Sequence, residues 1–435
     1  QKAWGIGQVK SEQLSGAQKL TKKDIEENQG TIDNIRLWDR EPLLDTFSQI
    51  QEIRTYYDFK SMDTERYRLD GKYQQLSLAP RELDYLNLPK RNFINERLTY
   101  THGMGAAITP VNEVTSEGLP LLYTKDLPPT STQEKLKIDQ PAIYYGENQN
   151  DHVIANTESK EFHYPGQDGN VYRNYSGPGG VALNSPISRA LMAINFGSYK
   201  IFLNSDITEE SRILYHRNIR ERVEKALPFL SLDSDPYMVV VNGRLKWIQD
   251  AYTTSDNYPY SAEQDGINYM RNSVKVIVDA YDGDINVYIM DKEDPLIRTY
   301  ASIFPKIFKS EEEMPEALRS HIRYPEELFS KQTTLYTEYH MDDPQNFYNK
   351  EDLWTFPRLM STTRGEGVGP VMRRLIMKLP GEDKEEFVLM LPYTPEGKNN
   401  MISWVAARSD GEHYGELINY RFPKDSSAYG PQQIV

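Results

Sequence analysis

Four groups of residues in this chain have types and spacings that could do chemistry. In Tyr100-Thr101-His102-Gly103-Met104-Gly105 a titratable imidazole stands beside flexible glycines, as a general base or a metal ligand would. No second histidine lies at ligand spacing, the nearest being His152 and His163, and a ring bonded to a backbone carbonyl accounts for His102 as well. Tyr252, Tyr258, Tyr260 and Tyr269, with Asp250, Asp256, Asn257 and Arg271, could form a platform for sugars or peptides of a cell envelope. Aromatic faces would supply area, and carboxylates and amides would orient hydroxyls. The same residues could instead seal a sheet end against a loop.

Acidic loops form the third group. Asp233 and Asp235, together with Asp250, Asp256, Asp279, Asp282 and Asp284, offer oxygens of the kind that bind calcium, with Asp233 and Asp235 the metal candidates. None matches the calcium loop closed by glutamate, and ordinary turn chemistry explains Asp282-Gly283. The fourth group is Ser176-Gly177-Pro178-Gly179-Gly180, just ahead of a helix start at Ser185-Pro186. Gly179, Gly180, Ser185 and Arg189 could cradle an anion there, or the glycines could simply permit close packing; the phosphate-loop pattern is missing. Arg212, Arg217, Arg220 and Arg222 are read as crowding one helix, neutralised by Glu209, Glu210, Glu221 and Glu224. No cofactor is recognised beyond the calcium option.

The elements that must position these groups follow from periodicity. The first 30 or so residues read as a polar linker with a short helix near Lys22. Leu43, Leu44, Phe47, Ile50 and Ile53 recur at helical spacing after Pro42, and Asp70-Gly71 predicts a hairpin turn. Frequent Gly and Pro across 98–165 favour loops and short strands. Ser185 is a good cap for a helix burying Ile187, Leu191 and Ile194, and Thr208 for a second helix with a stripe of Ile219, Val223 and Leu227. The period then switches to two around Asn242-Gly243 and Asp282-Gly283, predicting two hairpins in one antiparallel sheet. Residues 295–348 read as helical pieces, and the strings RRLIMKLP, EEFVLMLPY and MISWVAAR as strands. The sum is an α+β fold of antiparallel β-sheets with flanking helices in several lobes: 1–30 a linker, 31–175 a mixed N-terminal lobe, 176–360 a central lobe with two hairpins, and 361–435 a β-rich lobe expected to be truncated.

Composition bounds the reading further. A chain of 435 residues with 38% hydrophobic and 26% charged residues should fold around more than one core. Its 50 basic against 64 acidic residues, a net charge of −14, would repel phosphates, which argues against a nucleic-acid partner. Having no cysteine, it has no disulfide or thiolate chemistry, and its 30 tyrosines against 14 phenylalanines favour half-wet surfaces. No run approaches the ~20 apolar residues of a membrane span, and the start, lacking Met and a signal-peptide core, reads as that of an excised piece.

The strings NERLTYTHGMGAAITPVNEVTSEGLPLLYTKDLPP, SRILYHRNIRERVEKALPFLSLDSDPYMVVVNGRLKWIQDAYTTSDNYPYS and VDAYDGDINVYIMDKEDPLIRTYASIFP, with IRYPEELFSKQ and YHMDDPQNFYNKEDLW, resemble the hallmark segments of uncharacterised protein family 0182. The resemblance runs over roughly residues 20 to 435. It implies a multi-pass membrane protein of bacteria and archaea, with this chain as its extracytoplasmic region beside transmembrane helices that lie elsewhere. It supplies no catalytic residues. The expectation is therefore a domain at the outer face of the cell membrane that binds envelope polymer, lipid or a protein partner, and works with its own transmembrane region. Such a domain predicts a tyrosine-lined groove. The alternatives are a cell-envelope hydrolase using Asp, Glu or His chemistry, which predicts paired titratable groups in a pocket, and a structural assembly module, which predicts a large exposed apolar patch.

Overall fold

The computed structural model describes residues 2–6, 9–15, 21–51, 53–88, 90–149, 152–357, 372–423 and 428–430, so the expected lobe boundary at 360/361 lies outside the described residues. Within them the chain is an α+β mixture of antiparallel sheets with flanking helices. The first part of the segment expected as a linker is anchored to the body of the fold. Strand β1 (Lys10–Gln13) lies parallel to Ile418–Arg421, and Ala3, Trp4 and Ile6 are buried. The Trp4 indole N–H donates to the carbonyl of Ala262 at 3.2 Å, so a ring that a free linker would leave wet becomes core. Helix α1 (Lys22–Glu27) begins at Thr21, whose hydroxyl accepts from the amide of Asp24.

Helix α2 (Arg40–Gln51) buries Leu43 and Phe47. Strands β2 (Asp63–Leu69) and β3 (Lys72–Pro80) form the expected hairpin, and β4 (Ala106–Pro110) adds antiparallel to β3. Helix α3 (Pro186–Asn195) starts at Ser185, whose hydroxyl accepts from Ser188 N, and a turn leads into the short helix α4 (Lys200–Leu203). The face expected to be buried points outward: Ile187, Leu191 and Ile194 are 72%, 61% and 78% exposed, and the opposite residues Met192, Ala193 and Phe196 meet the core.

The second helix also starts later than expected. Thr208 closes a turn with Ser211, and the next residues form β5 (Arg212–Tyr215), antiparallel to His152–Ala155. Strand pairing overrides helix propensity there, burying Ile213 and Leu214. Only then does α5 (Ile219–Ala226) begin, with Asn218 as cap and Ile219, Val223 and Leu227 buried as expected. The four arginines therefore do not share one helix. Arg212 is on β5, Arg217 on the connection, and Arg220 and Arg222 on α5.

The central sheet runs β6 (Tyr237–Val241), β7 (Arg244–Ser255), β8 (Tyr269–Asp279) and β9 (Ile285–Ile289), antiparallel to one another, with the short edge strand Phe308–Ser310 parallel to β9. Asn242 and Gly243 sit at φ 51° and 72°, the left-handed pair that a two-residue hairpin needs. The pairing of β7 with β8 shifts between Ala251 and Thr253, a bulge beside Tyr252. Helix α6 (Glu326–Tyr339) packs near β8, followed by the strands β10 (Arg373–Lys378), β11 (Glu385–Pro395), β12 (Ser403–Arg408) and β13 (Leu417–Arg421), the last holding β1. The largest core joins residues from Tyr67 to Ile297, and a second gathers Trp4, Tyr252, Phe329 and Leu391, so both cores cross the expected lobe boundaries.

Candidate functional site

Between β7 and β8 the chain leaves the sheet as a loop whose geometry is set by amides. Asn268 accepts from Tyr258 N at 2.9 Å and donates to Tyr258 O at 2.8 Å, a reciprocal clamp. The Tyr258 ring lies 5.2 Å from Tyr269, whose hydroxyl donates to Asp294 at 2.5 Å. Gln264 donates to Lys331 O at 3.1 Å, and Lys331 pairs with Asp265 at 2.7 Å, so the loop is tied to α6. Gln332 of the same helix donates to Trp4 O at 2.8 Å.

These ties frame a cavity of about 360 Å³ lined by Trp4, Tyr258, Tyr260, Leu335, Tyr336 and Tyr339. A second cavity, of about 540 Å³, shares Tyr336 and Tyr339 and adds Lys10, His340, Asp342 and Arg421. The two adjoin at Tyr336 and Tyr339 as a groove, aromatic in the first cavity and polar in the second. Two of its rings are fixed by α6 itself, because residues three apart lie on one helix face. At the polar end the His340 ring stacks 3.6 Å from Trp354, and burial holds its pKa below the ordinary imidazole value. Arg421 donates to His340 O at 3.3 Å and lies 5.4 Å from the Trp354 ring centre. Rings with wet edges, a guanidinium, an ammonium and a carboxylate suit a ligand with both apolar faces and hydroxyl or amide groups.

Of the six residues nominated for binding, Tyr258 and Tyr260 line this groove, and Asp256 is exposed on the same loop, beside Asn257. Asp250 and Tyr252 do not reach it. Strand β7 is covered on both faces, so Asp250 is buried against the Lys275 ammonium and the Asn272 amide, the latter at 3.1 Å, and Tyr252 donates to Asp233. Arg271 is paired with Asp291 at 2.7 Å. Trp4, Tyr336 and Tyr339 were missed. The two tyrosines at helical spacing were the available signal, but nothing in the sequence placed them opposite Tyr258.

The metal candidates are spent internally. Asp233, pushed up to about 6 by burial and then by the charge of Asp250, accepts from Tyr252 and from Asp235 N at 2.9 Å, and Asp235 takes Arg323 at 2.8 Å. Among the described residues no group of three or more His, Asp or Glu is arranged to hold a metal ion. The glycine turn presents carbonyls rather than amides: Arg212 donates to the oxygens of Pro178, Gly179 and Gly180 at 2.6–2.9 Å, and Gly179 N donates to Tyr175. A Cβ on Gly179 would lie 2.2 Å from Asp282 O, so the glycine is there for close packing. Ser185 caps its helix, and Arg189 donates to Leu183 O at 3.0 Å.

His102 has a partner that its sequence neighbourhood did not reveal. Its Nε2 lies 3.0 Å from His163 Nδ1, and its Nδ1 lies 2.8 Å from Thr101 Oγ1. Thr101 donates to Glu161 at 2.7 Å, as does Tyr144 at 2.6 Å. Because the Thr101 hydroxyl donates its hydrogen bond to Glu161, its oxygen accepts from His102 Nδ1, which leaves the Nε2 of a neutral His102 to accept from His163. Burial, the largest cause for each, lowers both imidazoles, His163 to about 4, and raises Glu161. His163 borders a cavity of about 350 Å³ with Tyr164, Tyr172 and Arg173, whereas His102 is 1% exposed. Arg217, also fully buried, donates to Tyr144 O, Thr101 O, Tyr85 Oη and Gln149 Oε1 at 2.6–3.0 Å and braces this network.

Comparison with known proteins gives relatives without a described activity. Residues 1–435 match the family described as "Uncharacterised protein family (UPF0182)". The chain is 49% identical over 435 residues to a UPF0182 protein of Pelotomaculum thermopropionicum, covering 99% of this chain and 47% of that protein. It is 51% identical over 419 residues to one of Geotalea uraniireducens, covering 96% and 46%. It thus spans about half the length of the curated relatives it matches. No solved structure matches it.

Proposed function

From a chain that belongs to the uncharacterised protein family UPF0182, we propose a binding domain whose aromatic groove takes an extended envelope component, a glycan or a peptide, on the outer side of the membrane that holds the rest of the protein. The observation that carries this is the junction at Tyr336 and Tyr339, two residues that line both the aromatic cavity and the polar one. A ligand crossing the junction could stack on Tyr258 and Trp4 and set its hydroxyls or amides against Lys10, Asp342 and Arg421. Family membership supports a membrane-linked setting only through the resemblance. Among the described residues no helix is long and apolar enough to cross a bilayer.

Thermal unfolding with added muropeptides, N-acetylglucosamine oligomers and unstructured peptides tests the reading, because a ligand bound only by the native chain raises its melting temperature. A saturable rise that Tyr258→Ala weakens about tenfold is the expected result, from losing one stacked ring (~1.4 kcal/mol). A rise that Tyr258→Ala leaves intact would place the ligand elsewhere. The hydrolase reading draws on a different feature, the His163–His102–Thr101–Glu161 chain at a cavity wall. Turnover of a muropeptide that disappears in His163→Asn would favour it over binding alone.

A further inference from the structure

We propose that the hairpin of α3 and α4 is a lipid-docking surface that seats this chain on a bilayer carrying anionic headgroups. Helix α3 is apolar on two sides. Met192, Ala193 and Phe196 pack on the cluster of Leu98, Ile154 and Ile213, while Ile187, Leu191 and Ile194 point to solvent. Helix α4 repeats the arrangement, with Ile201 buried and Phe202 and Leu203 44% and 69% exposed, and Tyr199 ahead of it is 70% exposed. A helix that is apolar all round is normally covered on every side, and a contiguous exposed patch of such residues marks a docking surface.

Charge selects the occupant. The chain has 64 carboxylate side chains in 435 residues, yet between Asp168 and Asp206 it carries none, while Arg173, Arg189 and Lys200 lie within that run. Lys200 is exposed at the edge of the patch, its ammonium 5.7 Å from the Phe93 ring centre, with Lys90 just upstream of that ring and Arg91 paired there with Glu96 at 2.7 Å. Glu221, which lines the hollow beside Leu191, is paired with His216 at 2.6 Å. An apolar face with aromatic residues at its end and cations at its rim, on a hairpin that itself carries no carboxylate in an otherwise acidic chain, is the composition of an interfacial helix: the side chains enter the acyl boundary and the cations meet headgroup phosphates. On the hairpin itself the only charged side chains are cations, Arg189 and Lys200, the sign that meets an anionic headgroup.

Cosedimentation of this chain with vesicles of phosphatidylethanolamine and phosphatidylglycerol, beside vesicles of phosphatidylcholine alone, tests the proposal. Wild type should pellet with the anionic vesicles, less so as salt is raised. The triple variant Ile187→Ser, Leu191→Ser, Ile194→Ser should bind about tenfold more weakly or worse, from the lost apolar burial. Its melting temperature should match wild type, because these side chains are already in water. Should the triple variant fold poorly, Phe202→Ser with Leu203→Ser reads the same surface from α4. Wild type that stays in the supernatant with both vesicles overturns the proposal, as do variants that bind as well as wild type. So does a self-associated wild type that the triple variant disperses, which would assign the face to a second copy of the chain.

Discussion

The buried network around Glu161 and the groove between Tyr258 and Tyr339 are built from overlapping residue types put to opposite uses. In the network, Tyr144, Thr101 and His102 spend their polar atoms on one another and on one carboxylate, out of reach of solvent. In the groove, Tyr258, Tyr260 and Tyr339 are exposed and line open space. Burial explains the difference, since a charged or polar group taken from water must be met by a partner inside the protein and then has nothing left to offer a ligand. Arg217 with its four acceptors and Lys275 with Asp250 are further cases. In this fold the residues with the most reactive side chains are largely structural, and the proposed binding role rests on rings left half-exposed.

The most forceful way to break that contrast is to remove one partner of a buried pair. Asp250→Ala would leave the Lys275 ammonium, 0% exposed, without its counter-charge, and should cost about 3–5 kcal/mol of stability, read by equilibrium urea unfolding. A loss below about 1 kcal/mol, the range of solvent-exposed pairs, would mean that water reaches Lys275 and that Asp250 is free to meet a ligand after all.

How far the sequence foretold each region follows the same division. Turn pairs were legible because backbone sterics are local: Asn242-Gly243 must take positive φ to close its hairpin, and it does. Apolar periodicity named both helices but not their faces. Ile187, Leu191 and Ile194 on α3 have nearly the spacing of Ile219, Val223 and Leu227 on α5, yet the first set faces water and the second the core. Which side of a helix is covered depends on what packs against it, and no local rule supplies that. Strand β7 shows the same limit: composition nominated Asp250 and Tyr252 for a binding platform, but packing covers both faces of the strand and takes them out of it. His102 and His163 meet only because tertiary structure joins the segments that carry them, a pairing that spacing along the chain cannot encode.

A gentler probe uses pH. Burial, with the Arg173 charge second, holds His163 at about 4 in the folded chain against 6.5 when unfolded. A lowered imidazole binds its proton less readily folded than unfolded, so stability that is whole above pH 6.5 is lost as pH falls from 6.5 towards 4. Asp63, raised to about 7 by burial, and Asp233, raised to about 6, act in the opposite sense, gaining stability as pH falls through those values. The wild-type curve alone mixes these signs, but its difference from His163→Asn isolates the imidazole. The melting temperature of wild type should exceed that of the variant by a few degrees less at pH 4 than at pH 7. A constant gap would show a normally titrating, wet His163 and would make the network as accessible as the groove.

The smallest stability effect belongs to the groove, and there it sharpens the contrast. Tyr260 sits at φ 58°, a left-handed conformation that costs a residue with a Cβ about 1 kcal/mol or more, and its ring is fully exposed, so no local packing offsets the strain. Glycine relieves that strain but loses more conformational freedom on folding. The two terms nearly cancel, and Tyr260→Gly should leave unfolding free energy within ~0.5 kcal/mol of wild type, as for surface substitutions generally. If the groove binds as proposed, an exposed ring held in a strained backbone belongs to its binding face, and the same variant should lose affinity for whichever muropeptide or oligosaccharide raises the wild-type melting temperature. If Tyr260→Gly instead destabilises by more than about 1 kcal/mol with affinity unchanged, the ring belongs with Tyr144 and Tyr252 as a structural group, and the division between a spent interior and an open aromatic groove fails at its most exposed residue.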